Sequence, residues 1–368
     1  MRIAIDASIL GLPCPTGVER AAAETLRALP ASLAEGDELI VFGREIPPLS
    51  GPPSRAVRAV GLGGREPLAV WRETRLAPAL GAQEADVLWS PVAAIPLHTS
   101  VPRVATVHEL PWLVRPGLEG RVRERVHRAR LRLAARTAAL VCVPSETTAA
   151  QVIAEVPDAA ERVRVLPHAV APLFLAPADP TAASELRSFH GVVAAPFLLH
   201  VGGTRARKGI PLLLRAYARY RLQGGRASLV LAGPGAAPAR KPPGVQHLGY
   251  VSDDLLVALY AGASTLVVSS ESEGFGLPCI EAMALGLPVV TVGGGALPEV
   301  VGAAALVVPY GDDDALAAGV LRVEREPGLA DALIQSGRTR AAALSWAATA
   351  TRLRAILEEA STQRGTTR

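Results

Sequence analysis

The sequence predicts an α/β protein with two parallel-sheet domains, and three observations carry that expectation. Short β-branched runs alternate with helical patterns of ten or more residues, as in strand-helix-strand units. The alternation lapses in a Pro- and Ala-rich stretch and then restarts. A chain of 368 residues, 49% hydrophobic and 20% charged, also suits two packed cores.

In the first half, strands are expected at 2–7, 39–43, 87–90, 104–108, 139–143 and 163–166. A helix should follow the first strand, because Thr16 can cap its free N–H groups while Glu19 reaches back, as in a capping box. Residues 170–196 read VAPLFLAPADPTAASELRSFHGVVAAP, with little amphipathic order, and 171–196 is read as the linker. The second half restarts with strands at 197–201, 228–232, 245–248, 265–269, 289–292 and 306–308. The expected organisation is therefore 1–170, a linker, a second domain at 197–345, and a final helix with its tail at 346–368.

No stretch approaches the roughly 18 apolar residues a membrane helix needs. Asp6 interrupts what would be the apolar core of a signal peptide, so the chain is read as cytosolic. Cys14, Cys142 and Cys279 lie far apart without metal-ligand spacing, which argues against a disulfide framework or a zinc site. Net charge is +4, yet residues 115–136 hold eight arginines against Glu119 and Glu124. As a helix, 120–136 sets Val122, Val126, Ala129 and Leu133 on one face with arginines around the rest. A solvated amphipathic helix and docking on an acidic membrane surface both fit this pattern. Nucleic-acid binding does not, since no aromatic residue interleaves with these arginines.

Each strand-to-helix turn of a parallel sheet delivers backbone N–H groups and a helix dipole to the carboxyl edge, where ligands bind. Two turns look purposeful. GLPCPTGVER opens onto the capped helix, with Gly17 permitting close backbone approach to an anion. HVGGTRARKG places Arg205, Arg207 and Lys208 at a helix start after Gly202-Gly203, although the dipole there disfavours cations by about 0.3–1 kcal/mol each. An anionic ligand explains that placement. Neither a G-x-G-x-x-G fingerprint nor a P-loop occurs. In SSESEGFGLPCIEAMALGLPVV, Glu273 precedes a turn of Gly274, Phe275, Gly276 and Leu277. Pro278 is expected as the first helical residue and Glu281 in the helix's first turn, so both carboxylates should lie at the sheet's carboxyl edge. A carboxylate accepts two hydrogen bonds side by side, which suits adjacent sugar hydroxyls. For Glu281, first-turn dipole pairing is the alternative reading.

ESEGFGLPCIEAMALGLPVV resembles the E-x7-E signature of retaining glycosyltransferases of family 4, whose GT-B fold has two facing Rossmann-like domains. In the same order, MRIAIDASIL with TGVER, ATVHEL, VCVPSETT, HVGGTRARKG and the terminal LSWAATATRLRAILEEA are similar to the family's corresponding segments. The resemblance implies a C-terminal helix crossing back to the first domain. It implies that Glu281 holds the ribose of a nucleotide and Glu273 the transferred sugar. Lys208 with Arg207 or Arg205 would neutralise the pyrophosphate beside Gly203, and the amides of 274–277 would lie near sugar and phosphates. His108 would approach the anomeric carbon across the cleft, and Gly17 the donor phosphate or acceptor. The expected donor is a GDP- or UDP-linked hexose with a lean to mannose, the acceptor a glycan, lipid-linked or small molecule, and no metal or other cofactor is expected. Departures from the family pattern are Glu109 after the histidine, His168-Ala169-Val170-Ala171 near the linker, and Ala206 where a proline is common. A nucleotide-sugar epimerase and a non-catalytic nucleotide-sugar binder remain the other readings. A pyridoxal-dependent phosphorylase is disfavoured, since Lys208 and Lys241 are the only lysines.

Overall fold

The computed structural model describes residues 1–11, 15–45, 56–117, 120–176, 179–192 and 196–363. Cys14 and Glu119 lie outside them. The chain forms two compact units, the first comprising 1–110, 121–168 and 345–368, the second 111–120 and 169–344.

The first unit contains β1 Arg2–Asp6, β2 Glu38–Gly43, β3 Val57–Gly61, β4 Val87–Ser90, β5 Arg103–Thr106, β6 Leu140–Val143 and β7 Val163–Val165. They form one sheet in the order β3-β2-β1-β4-β5-β6-β7, every adjacent pair parallel. β3 was not expected from the sequence. Its VRAVG run is broken by Arg58 and lies on the sheet edge against β2, so it carries neither the continuous apolar run nor the clean alternation of a buried strand. β5 ends at Thr106, two residues before His108, which therefore sits in the loop rather than in the strand. At the end of β1, the buried Asp6 carboxylate accepts from Arg72 Nε at 2.6 Å and from the Ser8 N–H at 3.0 Å.

Helix Trp346–Thr362 completes this unit's core. Ser345 caps it, accepting from the Ala348 N–H at 3.2 Å, and Ala350, Leu353, Ile356, Leu357 and Ala360 pack with Ile3, Ile5, Val87 and Val104. Burying each such branched side chain contributes about 1.5–3 kcal/mol relative to leaving it in water. Arg354 donates to Asp37 at 2.9 Å, and the Thr349 hydroxyl donates to the Pro167 carbonyl at 2.8 Å. The return of the chain to the first unit thus rests on an apolar stripe with polar ties at its rim.

Helix Arg121–Thr137 buries Leu131, Ala134 and Ala135, not the Val122-to-Leu133 face singled out in the sequence. Small alanines let its C-terminal half approach the unit. Arg128 and Arg132 pair with the buried Glu155 carboxylate at 3.1 and 2.8 Å. Val122, Val126 and Leu133 stay 76%, 43% and 44% exposed.

The second unit contains β8 Phe197–Val201, β9 Ser228–Ala232, β10 Val245–Gly249, β11 Thr265–Val268, β12 Val289–Val292 and β13 Leu306–Val308. Again the sheet is wholly parallel, ordered β10-β9-β8-β11-β12-β13. Residues 171–196, expected as a linker, contain helix Pro180–Phe189, whose Asp179 cap accepts from the Thr181 N–H at 2.8 Å. Arg187 fixes it by donating to the Ala258 carbonyl at 2.8 Å. Pro180 in the first turn and the Asp179 cap start this helix despite its weak apolar stripe. Among the described residues, no helix is long and apolar enough to cross a membrane.

Candidate functional site

In each parallel sheet the loops after the strands share one edge. In the second unit three of them lock together: 202–209 after β8, 269–276 after β11 and 293–296 after β12. Gly209, at φ +65°, begins helix Ile210–Leu222, and a Cβ there would lie 2.0 Å from the Ser269 carbonyl. Only glycine lets the first two loops close to this distance. The Ser269 hydroxyl then donates to the Lys208 carbonyl at 2.9 Å, and the Glu271 N–H to the Arg207 carbonyl at 2.7 Å. On the other side, a Cβ on Gly294 would lie 1.9 Å from the Ser270 carbonyl, and the Ala296 N–H donates to the Glu273 carbonyl at 2.8 Å.

This framework brings together the charged residues expected from the sequence. Lys208 Nζ donates to Glu273 Oε1 at 2.5 Å, and Arg207 Nη1 stands 3.7 Å from Glu273 Oε2. All three side chains are largely buried. Burial alone pushes the Glu273 carboxyl up, but Lys208 and Arg207 outweigh it and hold the group well below the usual carboxylate range. Arg207 is therefore the arginine that accompanies Lys208, whereas Arg205 is exposed. Gly203 packs under the neighbouring loop, where a Cβ would meet the Pro234 carbonyl at 2.9 Å.

Gly276, at φ +93°, starts helix Leu277–Ala284, while Phe275 and Leu277 are buried. Gly286, at φ +75°, follows the Leu285 cap and ends this helix. Two local expectations are corrected. Pro278 takes the second helical position, and Glu281 is the fifth residue, in the second turn rather than the first. First-turn dipole pairing therefore does not account for Glu281. Its buried carboxylate accepts from the Tyr260 hydroxyl at 2.8 Å. The Cys279 thiol marks the ground between the two carboxylates: burial and Glu273 push it up, Lys208 opposes them, and Glu281 adds to them.

Several residues here were missed in the sequence. Glu271 is buried, with Arg115 Nη2 2.9 Å away, and burial together with the nearby Glu271 carboxylate raises the Tyr310 phenol. His200 lies beneath the Lys208 loop and donates from Nδ1 to the Val267 carbonyl at 2.9 Å. Burial pushes it down to about 4, so at neutral pH it adds no charge to the site. The run of three glycines at 293–295 was the one legible signal for the third loop, while Tyr260, inside an apolar helix, offered none.

His108 and Gly17 belong to the first unit. His108 Nε2 donates to the Pro91 carbonyl at 2.8 Å, and its ring lies 5.4 Å from that of His168. Burial lowers both imidazoles, against the Pro91 bond and the Glu19 charge in His108, and with the help of His108 in His168. The pair is neutral at physiological pH, which leaves the Nδ1 lone pair of His108 available as an acceptor. Gly17 is the exposed first residue of helix Gly17–Ala28, where Thr16 and Glu19 form the expected capping box.

Solved structures share this architecture over nearly the whole chain. Sucrose-phosphate synthase from Thermosynechococcus elongatus matches at a TM-score of 0.73 and 23% identity, covering 97% of this chain and 98% of that one. Anabaena HepE in complex with UDP-glucose matches at 0.72 and 19% identity, covering 98% and 100%. Two units, each built on one wholly parallel sheet, are the architecture of the GT-B class of fold. The description Glycosyltransferase Family 4 matches residues 15–174, and Glycosyl transferases group 1 matches 185–340. The chain belongs to glycosyltransferase family 4. Curated relatives include O-antigen chain mannosyltransferase B of Escherichia coli, 35% identical over 41% of this chain and 42% of the relative. MMP alpha-(1->4)-mannosyltransferase of Mycolicibacterium hassiacum is 37% identical over 42% and 40%. These matches span less than half the length of either relative.

Proposed function

We propose that the protein is a retaining hexosyltransferase that moves a hexose, with mannose favoured, from a GDP- or UDP-linked donor to a glycan, lipid-linked or small-molecule acceptor. The observation that carries this reading is the Lys208–Arg207–Glu273 cluster: two buried cations gathered at a sheet edge, held by a carboxylate suited to sugar hydroxyls. On donor binding, Lys208 and Arg207 take the pyrophosphate, with Arg205 and Gly203 beside it, and Glu273 turns to the sugar. The amides of Gly274, Phe275, Gly276 and Leu277 add donors, and Glu281 takes the ribose. The cations stabilise charge as it develops on the leaving phosphate. That is work a metal ion does elsewhere, so turnover is expected to persist in excess chelator. We assign the neutral His108 to the transferred sugar and Gly17 to close backbone approach. Retention then proceeds through an oxocarbenium-like state, the departing phosphate oxygen helping to deprotonate the acceptor. The two mannosyltransferase relatives support the sugar, and the HepE complex supports a nucleotide-linked donor.

The test is the anomeric configuration of the product, read by proton NMR with an α-linked donor and chelator present. An α-linked product is expected. A β-linked product contradicts retention, and an epimerised nucleotide sugar formed without acceptor favours the epimerase.

Helix Arg121–Thr137 supports a peripheral role at the inner face of a membrane, where a lipid-linked acceptor is found. Exposed Val122, Val126 and Leu133 form one stripe flanked by exposed Arg121, Arg125, Arg130 and Arg136, a pattern complementary to acidic lipid. Flotation with acidic vesicles at about 0.1 M salt should carry the wild type upward and leave a Val122→Asp/Val126→Asp variant behind. Wild type that remains at the bottom removes this contact.

A further inference from the structure

We propose that Tyr260 is a positioning residue, which sets the Glu281 carboxylate at the angle that lets it take two adjacent ribose hydroxyls; the inference rests on the donor reading above. A glutamate's terminal torsion is broad, so an unbraced carboxylate swings through the orientations in which only one oxygen meets a diol. Here the swing is stopped. The Tyr260 hydroxyl donates to Glu281 Oε2 at 2.8 Å, with the Pro278 carbonyl, in the first turn of the same helix, 3.4 Å away. Tyr260 itself cannot move aside: it is 1% exposed on helix Asp253–Gly262, and the Phe174 ring meets it at 90° with centroids 5.6 Å apart. A phenol suits this task because it fixes one oxygen by a charge-assisted bond without neutralising the carboxylate. A lysine in its place would compete for the charge that the hydroxyls need.

The experiment measures affinities of UDP, GDP and their 2′-deoxy counterparts by calorimetry for wild type, Tyr260→Phe, Glu281→Gln and the double variant. Wild type should prefer the ribonucleotide. Tyr260→Phe should lose about 10-fold on the ribonucleotide and little on the 2′-deoxy form, so that the preference collapses. In the Glu281→Gln background the tyrosine change should have no further effect. A merely structural tyrosine behaves differently, weakening both nucleotides alike and adding fully to Glu281→Gln; either result overturns the proposal. If wild type binds ribo- and 2′-deoxynucleotides equally, ribose is not at Glu281, and the donor orientation falls with the proposal. If wild type discriminates and Tyr260→Phe discriminates equally well, only the role of Tyr260 is lost.

Discussion

Replacing Glu273 by glutamine is expected to lower kcat about 10²–10³-fold while nucleoside diphosphate binds at least as tightly as to wild type. The two effects have one cause. Glu273 is a buried anion beside the two cations to which the proposed function assigns the diphosphate. Its neutralisation removes a like charge from the phosphate site, and Lys208 and Arg207 become available without an exchange of partners. The amide cannot accept from the sugar hydroxyls as a carboxylate does, so turnover falls although the leaving group is well held. Steady-state kinetics with the intact donor, set beside titration with the diphosphate alone, separates the two terms. A variant that loses diphosphate affinity and turnover together shows that the carboxylate is part of the fold rather than of the sugar site.

Lys208→Ala should behave in the opposite sense in binding. Diphosphate affinity and kcat should both fall, kcat by about 10²–10³-fold, because the cation acts most strongly where charge accumulates on the departing phosphate. The same change has a signature in stability against pH. The Glu273 carboxyl, lowered in the folded protein from its ordinary 4.5, contributes stability that is present above about pH 4.5 and lost as pH falls toward its folded value. Without Lys208 the folded value rises toward the unfolded one, so that contribution shrinks and acid unfolding of the variant is less steep in this window. Arg207 keeps part of the effect. An unchanged acid limb, measured by thermal unfolding between about pH 3 and pH 6, contradicts the assigned pairing.

What the sequence disclosed follows from how local each signal is. Runs such as Phe197–Val201 and Val289–Val292 are mostly apolar because parallel strands are covered on both sides, and their bounds were readable to the residue. Val57–Gly61 escaped because an edge strand is only partly covered and tolerates Arg58. In the candidate site, the placement of Glu273 and Lys208 at one sheet edge was legible because charged residues stood against glycine turns in a parallel-sheet pattern. Local spacing placed Glu281 one turn too early, since the helix start is set by Gly276 in the left-handed region, where a Cβ would strike Leu297 at 2.6 Å. The choice between Arg205 and Arg207 was not legible, because it depends on which side chain the 3-10 turn Ala206–Lys208 folds inward. Tyr260 reaches Glu281 on helix Leu277–Ala284, His200 reaches Val267 from inside β8, and Arg115 reaches Glu271; all three do so through tertiary packing and carry no local pattern. The basic helix shows the same limit. Its strongest apolar spacing marked the exposed face, and small alanines decided which side packs.

The most direct test of a nucleotide-sugar site built on this sheet edge is thermal unfolding of wild type and Glu281→Ala against UDP, GDP and their hexose conjugates. At about 100 times its dissociation constant, the correct nucleotide should stabilise the wild type by about 2.7 kcal/mol. The account predicts that one nucleotide family raises the wild-type midpoint by several degrees and that Glu281→Ala loses most of the shift. Equal shifts in both proteins, or no shift of the wild type by any of these ligands, contradict it.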